Sequence, residues 1–167
     1  MWDLKDKTVV ITGATNGIGK AAALELAKQG PKLLLTFRNQ ELADNLLAEI
    51  KTSAPDVSVE LIYCDFSMQS SIRECSKEII ASQDKIDVLI NNAGVVNTSY
   101  HETSEGIENT FAVNHLGYFL FTNLLLNKLK GPEESRIINV SSAAHSFVKD
   151  MNWENINFKD DFGRGMK

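Results

Sequence analysis

The sequence predicts an α/β fold: a doubly wound parallel sheet of about five strands with helices between them. Two observations carry that expectation. Short runs of β-branched and aliphatic residues alternate with helical stretches along most of the chain, the pattern of parallel strands joined by crossover helices. The first such run also ends directly in a glycine cluster that precedes an Ala/Leu-rich stretch, the sign of a tight strand-to-helix turn.

Taken in order, Thr8-Val9-Val10-Ile11 is a short β-branched run that stops at Gly13, as a strand buried on both faces would. Ile18 to Lys28 places Ile18, Ala22, Leu24, Leu26 and Ala27 among helix formers, and Gly30-Pro31 ends that helix. Leu33-Leu34-Leu35 starts a second strand. The stretch from Gln40 to Lys51 spaces Leu42, Leu46, Leu47 and Ile50 along one helical face. Val57 to Tyr63 reads as a third strand, and Ser70 to Ser82 as a third helix carrying Ile72, Ile79 and Ile80. Ile86 to Ile90 is a fourth strand, Thr103 to Lys130 a long helix, and Arg136 to Val140 a fifth strand. The expected strand order is 3-2-1-4-5, incomplete at the C-terminal side. Beyond Ser142 the chain has little periodicity, with Asn152, Asn155, Asn157, Asp160, Asp161, Gly163 and Gly165, and 146–167 reads as loop.

Composition narrows the function. The 167 residues fit one domain, and 43% hydrophobic content supplies a core without disulfides or metal. Lys+Arg 17 against Asp+Glu 22 gives a net charge of −5, which argues against binding nucleic acid or an anionic membrane. Cys64 and Cys75 form neither a CxxC nor a metal-ligand set and read as reduced thiols, pointing to the cytoplasm. The greasiest window, Leu116 to Leu126, contains Thr122 and Asn123 and falls short of the about twenty residues of a membrane span.

The chemistry begins at Thr12-Gly13-Ala14-Thr15-Asn16-Gly17-Ile18-Gly19. Gly13 suits a tight turn, Gly17 the approach of a pyrophosphate to the backbone, and Gly19 close packing of helix on sheet, as in a Rossmann-type turn. The spacing, though, is G-x-x-x-G-x-G and not the common dinucleotide G-x-G-x-x-G, and a plain tight connection is the alternative. Phosphates there would meet free N–H groups at the positive end of a helix dipole. The second strand ends in Thr36-Phe37-Arg38-Asn39, without an acidic residue for ribose hydroxyls; Arg38 suits a 2′-phosphate, favouring NADP(H) over NAD(H), or is a plain surface arginine. Asp65 either accepts from an adenine amino group or caps the following turn. Asn91-Asn92-Ala93-Gly94 ends the fourth strand with two adjacent amides, expected buried and in need of partners. Asn114, set among Phe111, Val113, Leu116 and Phe119, reads as a buried amide held by a water or backbone partner for a purpose, or as a satisfied core amide, and Ser141-Ser142 places two hydroxyls at the same sheet edge.

Together, Thr12-Gly13-x-x-x-Gly17-x-Gly19, Asp65, Asn91-Asn92-Ala93-Gly94, Asn114 and Ser141-Ser142 resemble the short-chain dehydrogenase/reductase family, in its motif order, from Lys7 to about Ser146. The segments Val113 to Phe119 and Arg136 to His145 look most like the retinol dehydrogenase and WW-domain oxidoreductase-like branch. The resemblance implies that Gly13, Asn16, Gly17, Ile18 and Gly19 hold the cofactor phosphates and adenosine ribose. Arg38 would read the 2′-phosphate, Asp65 and Phe66 the adenine, and Asn92, Ala93 and Gly94 the adenosine side. Ser142 would polarise a substrate carbonyl or hydroxyl, and Asn114 would position a water in a proton relay. It implies a small hydrophobic alcohol or carbonyl substrate, and a homodimer in a full-length form.

The family's acid/base, a tyrosine followed four residues later by lysine, has no counterpart. Tyr63, Tyr100 and Tyr118 are followed at that spacing by Ser67, Ser104 and Thr122, and all three precede Ser142. A phenol near pKa 10 needs such a cation to work near neutral pH. The interval that separates serine from tyrosine in that branch, counted from Ser142, reaches Lys167. The expectation is a chain truncated before its catalytic helix, with the outer edge of its fifth strand uncovered. Such a polypeptide would bind NADP(H) weakly or not at all and turn over nothing measurable alone.

Overall fold

All four residues of β1 (Thr8–Ile11) are buried because the strand lies inside the sheet. The computed structural model describes residues 3–131, 133–147, 149–159 and 162; Asp160, Asp161, Gly163 and Gly165 of the expected C-terminal loop lie outside them. β1 pairs in parallel with β2 (Lys32–Phe37) on one side and β4 (Val88–Asn91) on the other, Val10 lying opposite both Leu34 and Leu89. β3 (Val59–Tyr63) adds to β2 and β5 (Arg136–Asn139) to β4, giving the order 3-2-1-4-5.

Two apolar layers follow from the period of the strands. Val10, Leu34, Ile62 and Leu89 point to one face and Val9, Ile11, Leu33, Leu35, Val88 and Ile90 to the other. The second face is covered by α1 (Gly17–Ala27) and α2 (Gln40–Ser53), through Ala23, Ala27, Leu46 and Ile50. The first is covered by α3 (Gln69–Ser82) and by Phe121, Leu125 and Leu129 on α5 (Gly117–Leu129). Helix ends match their residues. Gly30, at φ +76, lets the chain turn after α1, and the Asn39 side chain accepts from Leu42 N–H to open α2. Cys64 and Cys75 lie free and buried in the first layer; a hydrogen bond to Cys75, then burial, pushes the Cys64 thiol up.

The long helix expected from Thr103 begins later. Residues 103–108 form a turn instead: Gly106 takes φ +73, and Thr103 C=O accepts from Gly106 N–H while Thr103 N–H donates to Ile107 C=O. The buried Glu108 carboxylate then caps the helix by accepting from Thr110 and Phe111 N–H. Helical structure runs through α4 (Asn109–Phe111), widens to a π-helical turn over Ala112–Leu116, and continues as α5. Within the stretch read as loop after Ser142, 3₁₀ turns form at Ala143–Phe147 and Trp153–Asn155, and Asn157 ties back to Gly106 and Glu108. Every residue of β5 is exposed, and among the described residues β4 is its one strand neighbour. Among the described residues no helix is long and apolar enough to cross a membrane.

Candidate functional site

The glycine turn is fixed by the fourth strand. Thr12 Oγ1 accepts from Asn92 N–H at 2.8 Å and Ala93 N–H at 2.9 Å, while Asn92 Nδ2 donates to the Thr12 and Gly13 carbonyls at 2.9 and 3.0 Å. Gly13 has φ +62, and a Cβ there would lie 2.7 Å from Ala93 Cα. A Cβ on Gly19 would collide with Asn92 Nδ2 and the Gly13 carbonyl, so Gly19 serves the packing of α1 on this turn. Gly17 differs: at φ +51, a Cβ added there meets nothing within 4 Å. Asn16 Oδ1 accepts from Gly17 N–H, and the α1 ladder starts with Lys20 N–H on the Asn16 carbonyl, so the Ile18 and Gly19 N–H groups precede it. No acidic side chain occupies that first turn.

A groove of about 620 Å³ opens over this turn and gathers Gly13, Asn16, Gly17, Ile18, Arg38, Asp65, Phe66, Asn92, Ala93 and Gly94. Those are the residues the sequence assigns to the cofactor, except Gly19, which lies beneath. Arg38 is exposed on its wall and makes no ion pair among the described residues. Asp65 caps a turn, its Oδ1 accepting from Ser67 N–H at 2.9 Å and Ser67 Oγ at 2.7 Å. Phe66 is only 6% exposed, its ring held edge-on against Phe121 and Tyr118; a Cβ on Gly117 would lie 2.9 Å from that ring. The open space at Gly17, the unladdered N–H groups and the unpaired guanidinium fit an anionic, phosphate-bearing nucleotide.

A second groove, of about 1090 Å³, lies between the π-helical turn and the end of β5 and contains Asn114, Tyr118, Phe119, Ser141 and Ser142. The two grooves share Asn92, Gly94, Val95 and Val140 as a common wall. Asn114 is exposed, not buried as its apolar sequence neighbours suggested, because the π turn sets it on the groove side while Ala112 and Val113 go to the core. Its partner is backbone: Oδ1 accepts from Val95 N–H and Nδ2 donates to Val95 C=O, both at 2.9 Å. Of the two adjacent amides, Asn91 is buried and Asn92 half-buried. Asn91 Nδ2 donates to Thr122 Oγ1 and Asn139 Oδ1, joining β4, α5 and β5. Ser142 Oγ accepts from Ala144 N–H at 3.2 Å, so its own proton remains to be donated. Burial pushes the Tyr118 phenol up to about 12, the opposite of what a general base needs near neutral pH. Sequence reasoning missed Thr36, whose Oγ1 accepts from Gly13 N–H, and His145 beside Ser142; a hydroxyl at a strand end was the available signal for the first.

Residues 7–153 match the family model described as short chain dehydrogenase. Human retinol dehydrogenase 13 is 44% identical over 152 residues, covering 89% of this chain and 46% of that protein. Human retinol dehydrogenase 11 is 46% identical over 142 residues, covering 85% and 45%. A metagenomic short-chain oxidoreductase solved in complex with NADP is 28% identical, with a TM-score of 0.74 over 84% of this chain and 64% of that one. The chain spans about half the length of the curated relatives it matches.

Proposed function

The chain belongs to the short chain dehydrogenase family and is retinol dehydrogenase-like, and we propose that it carries the NADP(H) groove and part of the substrate groove of an oxidoreductase interconverting hydrophobic alcohols and aldehydes or ketones. The shared wall at Asn92, Gly94, Val95 and Val140 supports this reading most directly, because ligands in the two grooves would meet there. The nicotinamide cofactor, when bound, supplies or accepts a hydride. The residues of the chain bind and orient. The N–H groups of Ile18 and Gly19 and the open backbone at Gly17 receive phosphates, and Arg38 takes the 2′-phosphate, preferring NADP(H). Asp65 and Phe66 border the adenine. Ser142 donates its hydroxyl proton to a substrate oxygen, and Asn114, held in place by Val95, offers its remaining hydrogen-bonding capacity to a water leading to solvent. Tyr118 and Phe119 give the second groove an apolar wall suited to a hydrophobic substrate.

No tyrosine of the 167 residues has a lysine four positions on, so among them no group serves as the family's acid/base, whose loss costs about 10²–10⁴ in rate. Binding therefore separates from turnover. Because the groove residues are together while the acid/base is not among the 167 residues, a nicotinamide-fluorescence titration should show weak NADPH binding, while a steady-state assay with NADPH and a long-chain aldehyde shows no turnover above background; turnover by this polypeptide would refute the assignment. The exposed β5, with Ile137 and Ile138 43% and 46% accessible, favours a second reading in which another polypeptide completes the sheet. Sedimentation of the purified chain in the presence of cell-derived partners, with recovered dehydrogenase activity, would distinguish it.

A further inference from the structure

The turn after β5 contains a histidine that the chemistry above does not use. Three hydrogen bonds converge on Ser142 from the next residues. Ala144 N–H donates to Ser142 Oγ at 3.2 Å, His145 N–H donates to the Ser142 carbonyl at 3.3 Å, and His145 Nδ1 stands 2.7 Å from that same carbonyl. A carbonyl oxygen has no proton to give, so Nδ1 carries one, and in the neutral ring Nε2 is a bare acceptor. His145 borders the same groove as Ser142 and Asn114. Among the described residues no side chain of the Ala143–Phe147 turn is buried, and the hydrogen bonds to Ser142 are what tie it to the end of β5.

We propose that His145 is a positioning residue for Ser142. Its Nδ1–H clamps the Ser142 carbonyl and holds the turn in which Ala144 N–H occupies a lone pair of Ser142 Oγ, leaving the hydroxyl proton as the group offered to the groove. The functional weight of the clamp rests on the reading of that groove as a substrate site; the clamp itself does not. Side-chain length makes the proposal specific. An asparagine amide reaches where Nδ1 is, whereas a glutamine amide reaches where Nε2 is.

The test uses the 167-residue chain labelled with ¹⁵N and ¹³C. Long-range ¹H–¹⁵N spectra should show the neutral His145 ring protonated at Nδ1. His145→Asn should keep the Ser142 carbonyl and Cβ shifts of the parent, and His145→Gln should lose them. With NADPH present and a trifluoromethyl aryl ketone followed by ¹⁹F NMR, Asn should bind within about twofold of the parent and Gln about fivefold more weakly, the loss of roughly one net hydrogen bond. An Nε2-protonated ring, or glutamine rescuing as well as asparagine, overturns the proposal. Ketone binding indifferent to Ser142→Ala, with the tautomer and shifts as expected, would instead remove the substrate-site reading and leave the clamp standing.

Discussion

At the scale of single residues, three glycines in one turn have three different reasons to be glycine, and substitution separates them. Gly19→Ala drives a methyl into Asn92 and the Gly13 carbonyl, overpacking of the kind that costs about 1–3 kcal/mol. Gly17→Ala finds open space and suffers only the left-handed backbone, about 1–2 kcal/mol, but places a methyl where a phosphate would lie. Urea unfolding should therefore rank Gly19→Ala as at least as damaging to stability, while NADPH titration should show Gly17→Ala impaired even where the protein remains folded. Arg38→Ala should weaken NADPH by about 1.5–3 kcal/mol, roughly 10- to 150-fold, and leave NADH nearly unchanged. Equal losses for both nucleotides would mean that Arg38 does not read a 2′-phosphate.

At the scale of elements, the π-helical turn is the joint between the core and the second groove. Ala112 and Val113 anchor it on the buried side, Asn114 ties it to Val95, and Gly117 admits the Phe66 ring where α5 begins. Asn114→Ala removes two exposed backbone contacts that water can replace, so the cost to stability should be about 0.5–1.5 kcal/mol per bond or less, with faster amide exchange at Val95 as the local signature. Tyr118, in the next turn, gives the element a pH dependence. Its folded pKa, near 12, lies above the unfolded phenol value of about 10. Unfolded chains thus lose the proton first; stability attributable to this group is intact below about pH 10 and declines as the pH rises through about 12. Denaturant midpoints of the parent should fall more steeply over that window than those of Tyr118→Phe. On the open flank, Ile138→Lys should reduce self-association by light scattering while changing stability by no more than about 0.5 kcal/mol.

At the scale of the whole molecule, the parallel sheet was legible because strands buried on both faces leave uninterrupted aliphatic runs, and β1, β2 and β4 do so plainly. The groove over the glycine turn was legible as a place because its parts sit at strand ends, where the topology must bring Gly13, Arg38, Asp65 and Asn92 to one edge. What failed was inference from sequence neighbours to spatial ones. Asn114 lies among apolar residues in sequence but outside the core, since one extra residue in a helical turn rotates it out. The start of the long helix was misplaced because a Gly106 turn and a buried Glu108 cap outweigh a helix-compatible composition. Thr36 and His145 contact backbone atoms of Gly13 and Ser142; a strand-end hydroxyl hints at the first, and no side-chain pattern announces the second. The central claim, that the edge formed by the glycine turn, Arg38 and Asn92 is an NADP(H) site, is tested most directly by ¹H–¹⁵N spectra of the chain during addition of NADPH and, separately, NADH. The account predicts shifts concentrated at Gly13, Asn16 to Gly19, Asp65 and Ala93 with both nucleotides, and at Arg38 with NADPH alone. Shifts absent from the glycine turn, or a response at Arg38 that is the same for the two nucleotides, would contradict it.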